Sequence, residues 1–111
     1  MSEPSEDTPV VDLLVQLTTD SVEASSLDLE TLMLVRLAAL VAVGAPPGSY
    51  LLNLEAAVGA GIDADQVAGV LTAVAPIVGT PRVVAAASGI AESFAFEVAV
   101  ALADAEEQDE V

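Results

Sequence analysis

Few polar side chains in this chain could do chemistry, and three of them fall within about one helical turn. Ser49, Tyr50 and Asn53 follow a Pro-Pro-Gly sequence, and residues four apart, such as Ser49 and Asn53, share one face of a helix. They could hydrogen-bond a small polar ligand. The structural alternative is that Ser49 caps the first turn, that Asn53 bonds a neighbouring carbonyl, and that Tyr50 is half-buried in the core or in an interface.

Arg36 and Arg82 are the only cations of the chain. Neither has an acid three or four residues away, so no ion pair within a helix satisfies them. Each is therefore a candidate for holding a carboxylate ligand through two parallel hydrogen bonds. The alternative is a structural pairing of Arg36 with Glu55 or Glu92, because an unpaired buried charge is costly.

Glu55 is the one candidate for a catalytic role. It is the only acid in the segment predicted below as the central helix, and burial would raise its pKa toward the range of a general acid or base. A salt bridge is the structural alternative for this carboxylate.

The residue types that are missing exclude several kinds of site. The chain contains neither Cys nor His, which excludes disulfides, thiolate metal sites and thiol catalysis. Without imidazole it also lacks the commonest general base and the commonest metal ligand. We therefore predict that the protein uses no metal and no cofactor.

Charge is concentrated at the two ends of the chain. The formal net charge is −16, with eight acids in residues 1–30, seven in residues 92–111, and only five charged residues between them. An acidic field without a basic patch excludes nucleic acid as a partner and disfavours an anionic membrane surface.

The hydropathy pattern argues against targeting and membrane segments. The acidic start MSEPSEDTP does not resemble a signal peptide. The uncharged run Leu37–Leu54 is divided by Gly44-Ala45-Pro46-Pro47-Gly48-Ser49, and Val67–Val78 is shorter than the ~20 residues of a spanning helix. We expect a cytoplasmic protein without a membrane partner, with a membrane-associated helical protein as a remaining alternative.

Apolar spacing and capping residues predict an all-α protein of about five helices. The predicted helices run from Pro9 to near Thr19, from Asp28 to Gly44, from Pro47 to Ala60, from the capping box Asp63–Gln66 to about Val78, and from Pro81 to about Ala103. Asp20–Ser26 is predicted as a polar link, and Pro76 is expected to kink or end the fourth helix. Residues 8–104 then form a single domain between a disordered acidic tail (1–7) and a second acidic tail (105–111).

The order of these segments resembles the carboxymuconolactone decarboxylase and alkylhydroperoxidase-D-like family. The resemblance covers roughly Leu27–Phe94 and is carried by LDLETLMLVRLAALVAVG, by LLNLEAAVGAGIDADQVAGVLTAVAPIVGTP and by AESF. It implies an all-α, alkylhydroperoxidase-D-like fold that interlocks into homo-oligomers, often trimers or hexamers.

The resemblance also implies a site whose reactive residues are replaced here. The redox branch of the family has Cys-x-x-Cys-x-x-x-His on the central helix and a relay Glu one helix earlier. These positions fall on Pro46, Ser49, Asn53 and near Met33. The decarboxylase branch retains the His, but Asn53 cannot shuttle a proton.

We therefore expect a non-redox homo-oligomer with a small-molecule-binding or structural role. Its ligand-binding candidates are Arg36, Ser49, Tyr50, Asn53 and Arg82, and a small carboxylate is the candidate ligand. The alternative is a cofactor-free decarboxylase, lyase or isomerase acting on a small carboxylated lactone or hydroxy acid. In that enzyme Arg36 would hold the carboxylate and Glu55 would carry the proton.

Overall fold

Five α-helices make up the fold, and no strand occurs among the described residues, which confirms the predicted all-α class. The structure, a computed structural model, describes the main chain of residues 8–109 and the side chains of residues 8–94. The helices are α1 (Pro9–Ala24), α2 (Leu29–Val43), α3 (Pro47–Gly59), α4 (Ala64–Val78) and α5 (Thr80–Asp109).

Local capping chemistry sets the predicted ends of the middle helices. Asp28 accepts a hydrogen bond from the main-chain N–H of Thr31 at 2.8 Å and so begins α2, which ends at Gly44 in the left-handed conformation (φ 70°). The predicted capping box is formed, because Asp63 and Gln66 each accept from the other's main-chain N–H, at 2.8 and 3.0 Å. These bonds satisfy N–H groups that a helix start leaves without partners.

Helix α1 is longer than predicted. It continues to Ala24, through most of the stretch Asp20–Ser26 that was predicted as a polar link. Its polar side chains bond within the helix: Gln16 donates to Asp20 at 2.8 Å, and the Thr19 hydroxyl donates to the Val15 carbonyl at 3.0 Å. A side-chain pair four residues apart, such as Gln16 and Asp20, stabilises a helix that has no apolar periodicity at that end.

Helix α5 also continues past its predicted end near Ala103, as far as Asp109. The composition of its last turns is rich in Ala, Glu and Gln, which favour helix. The second acidic tail is therefore helical to that residue, whereas the acidic tail 1–7 lies outside the described residues. The proposed domain boundaries stay a prediction.

The core lies between α2, α3, α4 and α5, which pack against one another. Buried apolar residues recur at helical spacing, for example Met33, Leu37 and Val41 on α2. The full set of buried apolar residues is Leu32, Met33, Leu37, Val41, Tyr50, Leu54, Ala57, Ile62, Val67, Ala86 and Ile90. A hydrogen bond of 2.6 Å from Gln66 to Glu30 also joins the starts of α4 and α2.

Helix α1 lies outside this core and has no buried residue. The large apolar residues of its first turns, from Val10 to Leu17, are 54–67% exposed. Helix α2 packs on three helices, but Val35 remains 52% exposed. No helix in the described part of the chain is both long and apolar enough to cross a bilayer.

Candidate functional site

A groove of about 380 Å³ lies between α1, α2 and α3. Its walls come from an apolar stripe of α1, from one residue of α2 and from one side of α3. The lining residues are Val11, Leu14, Val15, Thr18, Thr19, Arg36, Leu52, Asn53 and Ala56. Two predicted ligand-binding residues, Arg36 and Asn53, are thus brought to the same groove.

Arg36 joins α2 to α1 across this groove. Its side chain is half-buried, and its Nη2 donates to the main-chain carbonyl of Thr18 at 3.2 Å. The expected structural pairing with Glu55 or Glu92 is therefore wrong for the described side chains: the guanidinium is held by a carbonyl instead. Because a guanidinium has five N–H donors, this bond positions Arg36 and leaves donors for a ligand.

Asn53 lies half-buried on α3 and donates from Nδ2 to the carbonyl of Ser49 at 2.8 Å. This is the local bond that the structural alternative predicted. An amide group has two N–H donors, so one further donor remains on the side of the groove. The bond to Ser49 fixes the orientation of the amide.

Ser49 and Tyr50 are not part of the groove lining. Helix α3 has Pro46 at its N-cap and no side-chain cap, so the predicted capping role of Ser49 is wrong. Tyr50 is only 1% exposed and packs in the core rather than being half-buried. Burial raises the pKa of the Tyr50 phenol above its ordinary value of 10.0, so it stays protonated at neutral pH.

Glu55 and Arg82 also lie apart from the groove. Glu55 is exposed to solvent, so the burial that would have made it a general acid or base is absent. Arg82 is exposed too, and its Nη1 lies 2.8 Å from the point where a Cβ on Gly44 would stand. This places a cation beside the carboxyl end of α2, where the helix dipole favours positive charge.

A second, smaller hollow of about 170 Å³ lies where the start of α3 faces α5. It is lined by Pro47, Gly48, Leu51, Glu92 and Ser93. Ser93 is buried, and its hydroxyl lies 3.0 Å from the carbonyl of Gly89 and 3.3 Å from that of Pro47. The bond to Pro47 joins α5 to α3, so the Ser93 hydroxyl is already used for packing.

Residues 9–93 match the model of the carboxymuconolactone decarboxylase family. The match covers most of the chain, including all three helices that form the groove. The chain belongs to the carboxymuconolactone decarboxylase family. No curated protein and no solved structure matches it.

In this family member, the groove contains one of the positions that the resemblance assigned to the family's reactive site. The resemblance assigned the family's His to Asn53, which lines the groove, whereas the two expected Cys positions, Pro46 and Ser49, do not line it. The groove lining on α3 and its neighbours therefore combines an amide, a guanidinium, two threonines and aliphatic side chains.

Two lining residues, Thr18 and Thr19, were missed by the sequence analysis. They lie in the second half of α1, inside the predicted helix, but they were not among the ligand-binding candidates. A signal was present, because Val11, Leu14, Val15 and Thr18 follow the helical spacing of one face. Thr19 donates within α1, while the Thr18 carbonyl holds Arg36.

Proposed function

We propose that this member of the carboxymuconolactone decarboxylase family is a non-redox protein that binds a small carboxylate in the groove between α1, α2 and α3. The observation that supports this proposal is the position of Arg36. Its guanidinium lines the groove, half-buried and fixed through the Thr18 carbonyl. Carboxylate binding would use its remaining N–H donors, in the paired geometry that guanidinium and carboxylate share.

Binding fits the groove better than turnover does. A decarboxylase, lyase or isomerase needs a group that carries a proton at the reacting atom, and no residue of the groove lining is an acid or a phenol. Asn53 cannot carry a proton, and Glu55 is exposed outside the groove. A chain without Cys also has no thiolate for peroxide reduction.

We further propose that the protein is a homo-oligomer. Among the described residues, sixteen large apolar side chains are exposed, whereas nine large apolar residues and two alanines are buried. Apolar surface of that extent is typical of a protein–protein interface. The exposed set is densest on α1, which has no buried residue in the single chain.

Calorimetric titration of the full chain with sodium butyrate tests the binding proposal. The wild type should bind saturably, Arg36→Met should lose binding by about tenfold or more, and Arg82→Met should bind as the wild type does. Arg82 is a matched control because it is the only other cation and lies outside the groove. Equal binding by wild type and a folded Arg36→Met would contradict the proposal.

A further inference from the structure

We infer that the ligand is an unbranched aliphatic monocarboxylate of medium chain length, with its carboxylate at Arg36 and its hydrocarbon tail along α1 toward Val11. This inference rests on the proposed carboxylate binding and adds the rest of the molecule to it. The groove has a polar end and an apolar end, and the order of the residues along α1 decides which is which.

The polar end lies at the last turns of α1. Thr18 and Thr19 line the groove there, and Arg36 is fixed at this end because it donates to the Thr18 carbonyl at 3.2 Å. Thr18 lines the groove as well, and its side chain carries a hydroxyl that can donate a hydrogen bond. The positive guanidinium suits a carboxylate and opposes an ammonium group.

The apolar end lies toward the start of α1. Val11, Leu14 and Val15 form a stripe on one face of the helix, and the distance along the helix axis from Thr18 back to Val11 is about 10 Å. Leu52 and Ala56 of α3 line the opposite wall. An aliphatic tail lying in this channel would contact mainly these hydrocarbon side chains, with Asn53 as the polar residue of the α3 wall.

Charge restricts the ligand to one carboxylate. The groove contains a single cation, while the chain carries a net charge of −16. A second carboxylate would find no second cation among the lining residues, and burying a charged group without a partner is costly. The volume of about 380 Å³ lies within the range of small-molecule sites.

The exposure of the stripe gives the tail an energetic role. Val11, Leu14 and Val15 are 55–60% exposed, so a tail would remove from water both its own surface and that of the stripe. Because α1 has no buried residue, a bound tail would also hold this helix against α2 and α3. Amide hydrogen exchange in α1 should therefore slow when the ligand binds.

The test is a calorimetric titration of the full chain with butyrate, hexanoate and octanoate at about 0.15 M salt, where charges more than about 8 Å away are largely screened. Affinity should rise by about two- to fourfold per added methylene, the upper value being the effect of complete methylene burial. Octylammonium and octanamide should bind at least about tenfold more weakly than octanoate, because they lack the charge that pairs with Arg36.

A matched pair of variants locates the tail. Val11→Ser changes the far end of the stripe, and Val22→Ser makes the same substitution on the same helix outside the groove. Val11→Ser should weaken octanoate by about fivefold while changing butyrate by less than about twofold, and Val22→Ser should leave both unchanged.

The other possible results distinguish failure of the tail assignment from failure of carboxylate binding itself. Octanoate that binds no more tightly than butyrate would overturn the assignment of the tail and leave the proposed carboxylate binding intact. Octylammonium or octanamide binding as tightly as octanoate would show a groove that selects hydrocarbon alone, which overturns the inference. No binding of any carboxylate by the folded chain would overturn the inference and the proposed function together.

Discussion

The ring of Tyr50 lies directly against the main chain of Gly89. A Cβ placed on Gly89 would stand 3.0 Å from Cδ2 of Tyr50 and 3.2 Å from its Cε2. This close approach packs α3 against α5 and accounts for the nearly complete burial of Tyr50. Helix α3 also supplies Leu52, Asn53 and the rest of one groove wall. The contact between Tyr50 and Gly89 therefore helps to fix the position of that wall.

Gly89→Ala should destabilise the protein. The added methyl meets an aromatic ring that is enclosed by the core, so the free energy of unfolding should fall by about 1–3 kcal/mol, despite the better helix propensity of Ala. Urea unfolding followed by helical circular dichroism, at fixed protein concentration, measures the change.

The matched control is Gly69→Ala. Gly69 lies inside α4 and is exposed, and no atom lies within 4 Å of its added Cβ. This variant should gain about 0.5–1 kcal/mol of stability from helix propensity alone. Equal responses of the two variants would contradict the packing of Tyr50 on Gly89.

Asp28 should make stability depend on pH in the acid range. Its hydrogen bond from the Thr31 N–H lowers the pKa of the Asp28 carboxyl below its ordinary value of 3.8. A lowered folded-state pKa means that the contribution is fully present above the unfolded value of about 3.9 and is lost as the pH falls through the folded value. Asp28→Ser retains a capping oxygen without a titrating group.

The comparison to measure is the difference in unfolding midpoint between wild type and Asp28→Ser from pH 7 down to about pH 2. The difference between the two unfolding midpoints should be constant above about pH 4. Below that pH, the midpoint of the wild type should fall relative to that of the serine variant. A constant difference throughout would contradict the capping role, because all other acids are common to both proteins.

The capping box of α4 should contribute measurably to stability. Asp63→Ala removes an acceptor that the Gln66 N–H uses at 2.8 Å, so it should cost about 0.5–2 kcal/mol. Asp65→Ala is the control, since this exposed acid lies in the same first turn without a capping bond. Chemical denaturation of both variants checks the result, and equal losses would contradict the box.

Local sequence chemistry was sufficient for the helix ends that depend on a few neighbouring residues. Asp28, Gly44 and the Asp63–Gln66 pair each act through main-chain bonds or a backbone conformation within four residues. Such features depend little on the rest of the fold. The resemblance supplied the family, which the match over residues 9–93 then confirmed.

Features that depend on contacts between helices were harder to predict. The partner of Arg36 is a main-chain carbonyl eighteen residues earlier, and no side-chain pattern reveals a carbonyl. The half-buried interpretation of Tyr50 failed for the same reason, because only the fold brings it against Gly89. The groove itself depends on α1 lying beside α2 and α3, and the spacing within one helix does not show which helices it will face.

The outer face of α1 should carry subunit contacts. Val10, Leu13 and Leu17 follow one another at helical spacing, are 54–67% exposed, and do not line the groove. A double substitution, Leu13→Ser with Leu17→Ser, should lower the molar mass in solution without unfolding the chain, since these side chains make no core contact. Ile77→Ser, at a residue that is 86% exposed on α4, should leave the mass unchanged.

The most direct test of the account is the molar mass of the wild-type chain, measured by size-exclusion chromatography with light scattering at micromolar concentration and without detergent. The apolar residues left exposed on one chain predict a mass that is a whole multiple of 11.1 kDa, with two or more chains in the particle. A compact particle of one chain, stable and soluble at that concentration, would contradict the claim that copies of this protein cover one another's apolar surface.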